Sequence, residues 1–264
     1  MDLQIKDKVA FISGSTAGIG FATAKVLLQE GATVIVNGRY QSRVDHAIAR
    51  LRAQIPSGNV SGLVADFTKN SQIVDLLGQL GEIDILINNV GVYLVKPFIE
   101  TSDKEWYEQF EINVMSAVRL SRHCLPIMLK QNWGRILFVS SECVSLTPTN
   151  SATYNMTKTA LLSISRTLAE MTKGSEVTVN AVLPGSTLSE GAELFLKNEA
   201  TKQQKSPQEI EKSFFKEVRT SSLLQRFAKV EEVASTLSYL CSPRAAATNG
   251  AAIKIDGGSS GGIL

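Results

Sequence analysis

Tyr154 and Lys158 stand four residues apart in the run from Ser151 to Lys158, and Ser141 lies thirteen residues before Tyr154. On a helix, positions i and i+4 share a face. An ammonium group beside a phenol favours the phenolate, so Lys158 is expected to lower the Tyr154 pKa from its ordinary value of about 10. A tyrosine tuned in this way gives a proton to a carbonyl oxygen or takes one from an alcohol. A serine hydroxyl from the end of a neighbouring strand is suited to hold the same oxygen. The combination fits hydride transfer to or from a carbonyl carbon. Tyr-x-x-x-Lys alone occurs in chance helices, so its weight depends on the elements that position it.

The N-terminus supplies the first of these. Val9–Ile12 is a short apolar run fit for a buried parallel strand. The turn Ser13-Gly14-Ser15-Thr16-Ala17-Gly18-Ile19-Gly20 follows, and Phe21–Leu28 reads as helix. A strand, a glycine-rich turn and a helix together make a site for pyrophosphate on a helix N-terminus. The spacing is G-x-x-x-G-x-G rather than the commoner G-x-G-x-x-G. For the glycines alone, an ordinary strand-to-helix turn is the competing explanation.

Taken together, these motifs resemble those of the short-chain dehydrogenase/reductase family, and the resemblance runs over nearly the whole chain. Gly14, Ser15, Thr16, Gly18, Ile19 and Gly20 resemble its cofactor-binding turn, with Ser13 where threonine is usual. Asn88-Asn89-Val90-Gly91 is similar to its Asn-Asn-Ala-Gly motif, with Val90 replacing alanine. Asn113 matches its helical asparagine, and Ser141, Tyr154 and Lys158 match its remaining catalytic positions. Pro184-Gly185 matches the turn near the nicotinamide, with Thr187 beyond it, and Asp256-Gly257-Gly258 matches the C-terminal strand ending. The resemblance implies that Asn113, Ser141, Tyr154 and Lys158 are catalytic. Lys158 would bond the nicotinamide ribose, and Asn113 would hold a water linking Lys158 to solvent. It also implies strand order 3-2-1-4-5-6-7 and a homotetramer with dihedral symmetry, in which two long helices pair across a twofold axis.

Strand-like segments alternate with helical ones throughout. Strands are expected at 9–13, 33–37, 60–65, 83–88, 135–140, 177–182 and 252–256, and helices at 19–30, 42–54, 71–80, 104–130, 152–173 and 230–241. Short β-branched runs belong to parallel strands covered on both faces. The expected fold is α/β: a single Rossmann-type doubly wound parallel sheet of seven strands, helices on both faces, and one domain over 1–264. One stretch breaks the alternation. Residues 186–222 carry no strand signal, Lys197–Lys205 is strongly polar, and Ser206-Pro207-Gln208-Glu209 has capping-box spacing with proline at N1. Ile210, Phe214 and Val218 follow at helical spacing, so a helical insertion is expected here, and the resemblance makes it the substrate loop or lid.

Cofactor choice turns on Asn37-Gly38-Arg39. An acid about 20 positions after the glycine turn normally binds the adenosine ribose. Gly38 occupies that place, and Arg39 beside it can pair with a 2′-phosphate. NADP(H) is therefore expected rather than NAD(H). Asp66-Phe67 resembles the family's adenine-contacting pair. Tyr93, Leu94, Val144, Leu146 and Phe195 are candidate pocket residues, and Glu142 beside Ser141 would face a polar substrate group or solvent. The substrate is a small carbonyl compound or alcohol of unspecified identity: family members reduce ketones, aldehydes, sugars, steroids and 3-oxoacyl thioesters.

Other classes fit less well. A formal net charge of +2 over 264 residues gives no nucleic-acid footprint, and no apolar run reaches the length a spanning helix needs. The polar segment Met1–Lys8 reads as neither a signal peptide nor a membrane anchor. Cys124, Cys143 and Cys241 lack metal-ligand spacing, and an odd cysteine count suits a reducing cytoplasm. No metal is expected. Gly258–Gly262 fits G-x-S-x-G, but a serine hydrolase needs a later histidine, and His46 and His123 both precede it. A non-catalytic nucleotide sensor on the same fold would be expected to lack a catalytic residue, whereas all four are present.

Overall fold

A computed structural model describes residues 2–262; Met1 and residues 263–264 of the expected span lie outside them. The chain alternates β1 (Val9–Ile12), α1 (Gly18–Gln29), β2 (Thr33–Gly38), α2 (Gln41–Gln54), β3 (Val60–Val64), α3 (Asn70–Gln79) and β4 (Ile85–Asn88). It continues through α4 (Asp103–Phe110), a π-helical turn (Glu111–Met115), α5 (Ser116–Lys130), β5 (Gly134–Val139), α6 (Cys143–Leu146), α7 (Ala152–Met171) and β6 (Val177–Pro184). An insertion made of β7 (Thr187–Leu188), α8 (Glu190–Gln203), α9 (Pro207–Glu217) and β8 (Ala228–Lys229) precedes α10 (Val230–Leu240) and β9 (Ala252–Ile255).

Seven strands form one parallel sheet in the order β3-β2-β1-β4-β5-β6-β9, the order expected from the sequence. β4, β5 and β6 are buried along their whole lengths, which explains their largely apolar make-up, although β5 also buries Arg135 and β6 buries Thr178 and Asn180. Each face carries its own core. Ile12, Leu27, Val34, Leu51 and Leu237 build one, and Phe11, Leu76, Leu86, Phe138 and Leu161 the other. The order reverses between β1 and β4, so the strand ends there open a crevice.

Three sequence expectations need correction. The helix expected over 104–130 is interrupted by the π-helical turn at Glu111–Met115, which widens the backbone around Asn113. The polar stretch at 197–205 is the second half of α8, a helix no periodicity signals. Among the described residues only Leu196 and Ala200 are fully buried along it, and Ser189 caps its start. The capping box at Ser206 and proline at N1 of α9 form as expected, but Val218 lies past the helix and is 57% exposed. Ile210 and Phe215 instead join Leu196, Ala200 and Phe227 in a small core belonging to the insertion.

Candidate active site

The glycine turn is held from both sides. Gly14 and Gly18 adopt φ of 62° and 58°, a region that disfavours side chains. Asn89 donates from Nδ2 to the carbonyls of Ser13 (3.1 Å) and Gly14 (2.8 Å). A Cβ at Gly20 would lie 2.6 Å from that Nδ2 and 2.8 Å from the Gly14 carbonyl oxygen, so the turn closes only around glycine. Ser13, where the family resemblance leads one to expect threonine, accepts from the N–H groups of Asn89 (3.0 Å) and Val90 (3.2 Å). Its hydroxyl thus ties β1 to the segment after β4. Ser15 does not face the crevice: it is fully buried, and its Oγ donates to the Ile12 carbonyl (2.7 Å) while accepting from Asn37 N (2.9 Å). Asn37 Oδ1 accepts from Gly14 N (3.1 Å). Ser15 and Asn37 therefore fix the turn against β2.

Above this turn lies a cleft of ≈ 270 Å³ whose walls include Gly14, Thr16, Asn37, Arg39, Asp66 and Phe67. Val90 and Gly91 continue it toward the sheet centre. Sequence reasoning missed Tyr40, Arg43, Val92 and Ile112, which also line it. Arg43 was findable, since it falls four residues after Arg39 in the first turn of α2. Burial pushes the Asp66 carboxyl up, but the Thr68 N–H and hydroxyl donors, with Arg39 and Lys69 behind them, outweigh it and hold the group below its usual value. A cleft lined by Gly14 and Thr16 of the turn and by Arg39 and Arg43 fits the phosphates of a dinucleotide. Gly18 approaches Ser189 of the insertion, Ile19 packs against the core, and the Thr187 hydroxyl donates to the Gly185 carbonyl (2.9 Å).

At the carboxyl end of β5 the structure brings Ser141, Tyr154 and Lys158 together. Ser141 is buried beside the Tyr154 phenol, and its Oγ accepts from Cys143 N (3.2 Å). Lys158 is buried, with Nζ 5.6 Å from the centroid of the Tyr154 ring. The expectation that Lys158 lowers the Tyr154 pKa does not hold in this cofactor-free geometry. Burial pushes the phenol well above its usual value, and the nearby Ser141 hydroxyl opposes this without reversing it. The Lys158 ammonium instead donates to the Val139 carbonyl (2.8 Å), and burial pushes its own pKa down to about 8. A Cβ at Gly91 would lie 3.0 Å from Nζ, which explains glycine there.

Asn113 is fully buried and its amide is committed to protein. Oδ1 accepts from Val92 N (2.8 Å), and Nδ2 donates to Val92 O (3.0 Å) and Thr157 Oγ1 (3.0 Å). It acts as a strut between the π-helical turn and the loop after β4. Of the expected substrate residues, Tyr93 meets the Tyr154 ring edge-on at 4.6 Å, whereas Val144 packs against the core under α7. Leu94 and Leu146 are half-buried, and Phe195 is 45% exposed on α8. Glu142 does not face solvent. It is 3% exposed, and its Oε1 accepts from Arg219 Nε (2.8 Å) and Ser186 Oγ (3.1 Å). Arg219, a residue of the insertion, was not singled out from the sequence. Nothing local marks one arginine among the charges of that polar segment.

A cleft over the glycine turn, together with a Ser/Tyr/Lys cluster at the carboxyl edge of the same parallel sheet, is the arrangement of an α/β oxidoreductase. The comparisons narrow the class. A family model described as enoyl-(acyl carrier protein) reductase matches residues 14–260. The chain is 49% identical over 262 residues to the uncharacterized oxidoreductase YvrD of Bacillus subtilis, covering 98% of each chain. It is 33% identical to dehydrogenase/reductase SDR family member 2 of Homo sapiens, covering 96% of this chain and 86% of the relative. Among solved structures, L-sorbose reductase from Gluconobacter frateurii, complexed with NADPH and L-sorbose, superposes with a TM-score of 0.93 at 30% identity over 100% of both chains. The chain belongs to the short-chain dehydrogenase/reductase family. No helix among the described residues is long and apolar enough to cross a membrane.

Proposed function

We propose that this protein is an NADP(H)-dependent carbonyl reductase that converts a ketone or 3-oxoacyl carbonyl to an alcohol, or the reverse, with Tyr154 as general acid/base. The juxtaposition of Ser141, Tyr154 and Lys158 at the carboxyl end of β5 carries the proposal. When bound, the nicotinamide cofactor supplies or accepts the hydride. Tyr154 then delivers its proton to the substrate oxygen, and Ser141 orients that oxygen and shares its developing charge. A phenol held protonated by burial is a competent donor at neutral pH, which favours reduction; alcohol oxidation needs the phenolate and speeds up as pH rises. Lys158, already desolvated, holds a mobile proton behind the tyrosine. Gly38 in place of an acid, with Arg39 and Arg43 on the cleft wall, supports NADP(H). The NADPH in the L-sorbose reductase complex agrees with that preference.

Tyr154→Phe tests the reading. It keeps the ring but removes the proton donor, so turnover should fall by about 10²–10⁴-fold while NADPH still binds. A near-wild-type rate on any carbonyl that the native enzyme reduces would remove Tyr154 from the acid role.

The chain is further proposed to act as one domain and as a homotetramer in the cytoplasm. A groove lined by Trp106, Tyr107, Phe110 and Met156 joins α4 to α7, with Tyr107 76% exposed, and supports an interface between copies there.

A further inference from the structure

Residues 186–229 form a body of their own. Its base is clasped by the pairing of β7 with β8 (Thr187 with Ala228, Leu188 with Lys229), and its interior holds the stacked rings of Phe214 and Phe227. Apart from this base, few points fasten the body to the sheet beside Ser141. Leu223 and Leu224 donate from their N–H groups to the Gly257 carbonyl (2.9 Å each), and Ser221 Oγ donates to Ser259 O (2.7 Å). These attach it to the loop after β9. Two exposed ion pairs, Arg226 with Glu232 and Arg50 with Glu190, also cross to the rest of the protein; the buried ionic tie among the described residues is Arg219 Nε to Glu142 Oε1 at 2.8 Å, with side-chain exposures of 14% and 4%. It spans 77 residues of sequence. The Arg219 guanidinium lies 5.7 Å from the Phe214 ring centroid, so it is rooted in the insertion's own core. Glu142 adjoins Ser141, and its N–H donates to the Pro184 carbonyl (2.9 Å) at the end of the neighbouring strand β6.

We infer that Glu142 is a positioning residue, and that its ion pair with Arg219 is the latch holding the insertion closed against Ser141 and Tyr154. The inference rests on the carbonyl-reductase reading for its consequence, but not for its geometry. A buried pair loses in desolvation much of what it gains in attraction, so closed and hydrated-open arrangements are close in free energy. That balance suits a cover that must open in every turnover. The second carboxylate oxygen sharpens the point: Oε2 is buried without a hydrogen-bond partner, and a Cβ at Gly185 would lie 2.9 Å from it. With one oxygen bare, Glu142 is held in place chiefly by Arg219 and Ser186. When the insertion lifts, water reaches both oxygens, and the carboxylate is released from the wall that carries Ser141.

The test compares the full-length protein with Arg219→Gln, Glu142→Gln and the double variant. Amide hydrogen exchange over 207–222 needs no substrate and decides the latch directly. Each single variant should speed exchange there by roughly 10-fold, within the range of couplings between contacting residues, while exchange in β1 and β4 stays unchanged. KM for the carbonyl substrate should rise by a similar factor, with NADPH affinity retained, and the double variant should match the singles because the pair acts as one unit. Arg219→Lys, which keeps the charge, should recover part of the protection, and serves as the reporter if Arg219→Gln does not fold. Unchanged exchange over 207–222, or losses that multiply in the double variant, would overturn the latch. Native protein that reduces no carbonyl compound with either cofactor would refute the carbonyl-reductase reading alone and leave the exchange result standing.

Discussion

On the proposed NADP(H) preference, the simplest way to turn the cleft toward NAD is to restore an acid with Gly38→Asp, and the structure says that this change alone fails. A Cβ at position 38 would lie 2.5 Å from Thr16 Cγ2, where ordinary contacts run 3.4–4 Å, and 3.3 Å from Val44 Cγ2. Thr16 is β-branched and stiff at χ1, and it belongs to the glycine turn, so it cannot yield without moving that turn. Overpacking of this kind costs about 1–3 kcal/mol, and here the strain falls on the pyrophosphate cradle that both cofactors share. The single variant should therefore bind NADPH and NADH less tightly alike. Thr16→Ala removes the offending methyl and the hydroxyl 3.5 Å away, which opens the slot. In the Thr16→Ala/Gly38→Asp variant the new carboxylate competes for Arg39 and repels a 2′-phosphate. Losing that charge-assisted contact is worth about 1.5–3 kcal/mol, or roughly 10–150-fold in relative affinity. Fluorescence titration of both cofactors against the four proteins reads the result. A single Gly38→Asp variant that gains NADH affinity as fully as the double would refute the steric reasoning.

Other outcomes follow from the same geometry. Arg39→Ala and Arg43→Ala should each weaken NADPH more than NADH, by about 10-fold or more if each makes a charge-assisted contact, as read from dissociation constants; equal losses for both cofactors would clear the arginines of phosphate recognition. Lys158 has a depressed folded pKa, so the folded state releases its proton first and the native protein gains stability as pH rises from about 8 to the ordinary lysine value. Denaturant unfolding should show Lys158→Met narrowing its stability difference from the native protein across that window, by up to about 3 kcal/mol; a difference independent of pH would contradict a desolvated ammonium. Tyr107→Glu, placing a charge on the exposed α4–α7 groove, should shift light-scattering mass toward a single 28.6 kDa chain; a native protein already at that mass would defeat the oligomer proposal.

The sheet was legible because its signals are local. Short β-branched runs such as Val34–Val36 and Ile85–Ile87 are buried on both faces, and the glycines between β1 and α1 mark the only conformation that turn tolerates. The proximity of Ser141 to Tyr154 was legible from the family resemblance, and that of Tyr154 to Lys158 from helical spacing. Electrostatics was not, because desolvation is a property of the assembled site. Spacing alone put Lys158 beside a phenol. Folding gave its ammonium the Val139 carbonyl and buried both groups, which reverses the expected direction for Tyr154. The pairing of Glu142 with Arg219 escaped notice for a related reason: two charges far apart in sequence and unremarkable singly acquire meaning only when the insertion packs beside β5. Helix α8 escaped notice because it buries so narrow a strip that polar composition hides it.

The clasp between β7 and β8 has a consequence for how this scaffold can change. Two residues on each side fix where the insertion leaves the sheet and where it returns, and its hydrophobic interior is its own. Chain added between the clasped ends makes no demand on the seven-stranded sheet, and doubling a flexible closed loop costs only about 0.6 kcal/mol. Length and composition between Ser189 and Glu217, outside the few residues of the insertion's own core, are thus cheap variables, while Arg219 to Leu224 and the strands that carry Ser141 and the glycine turn stay under constraint. Selection can rewrite what enters the crevice without renegotiating the stability of the fold.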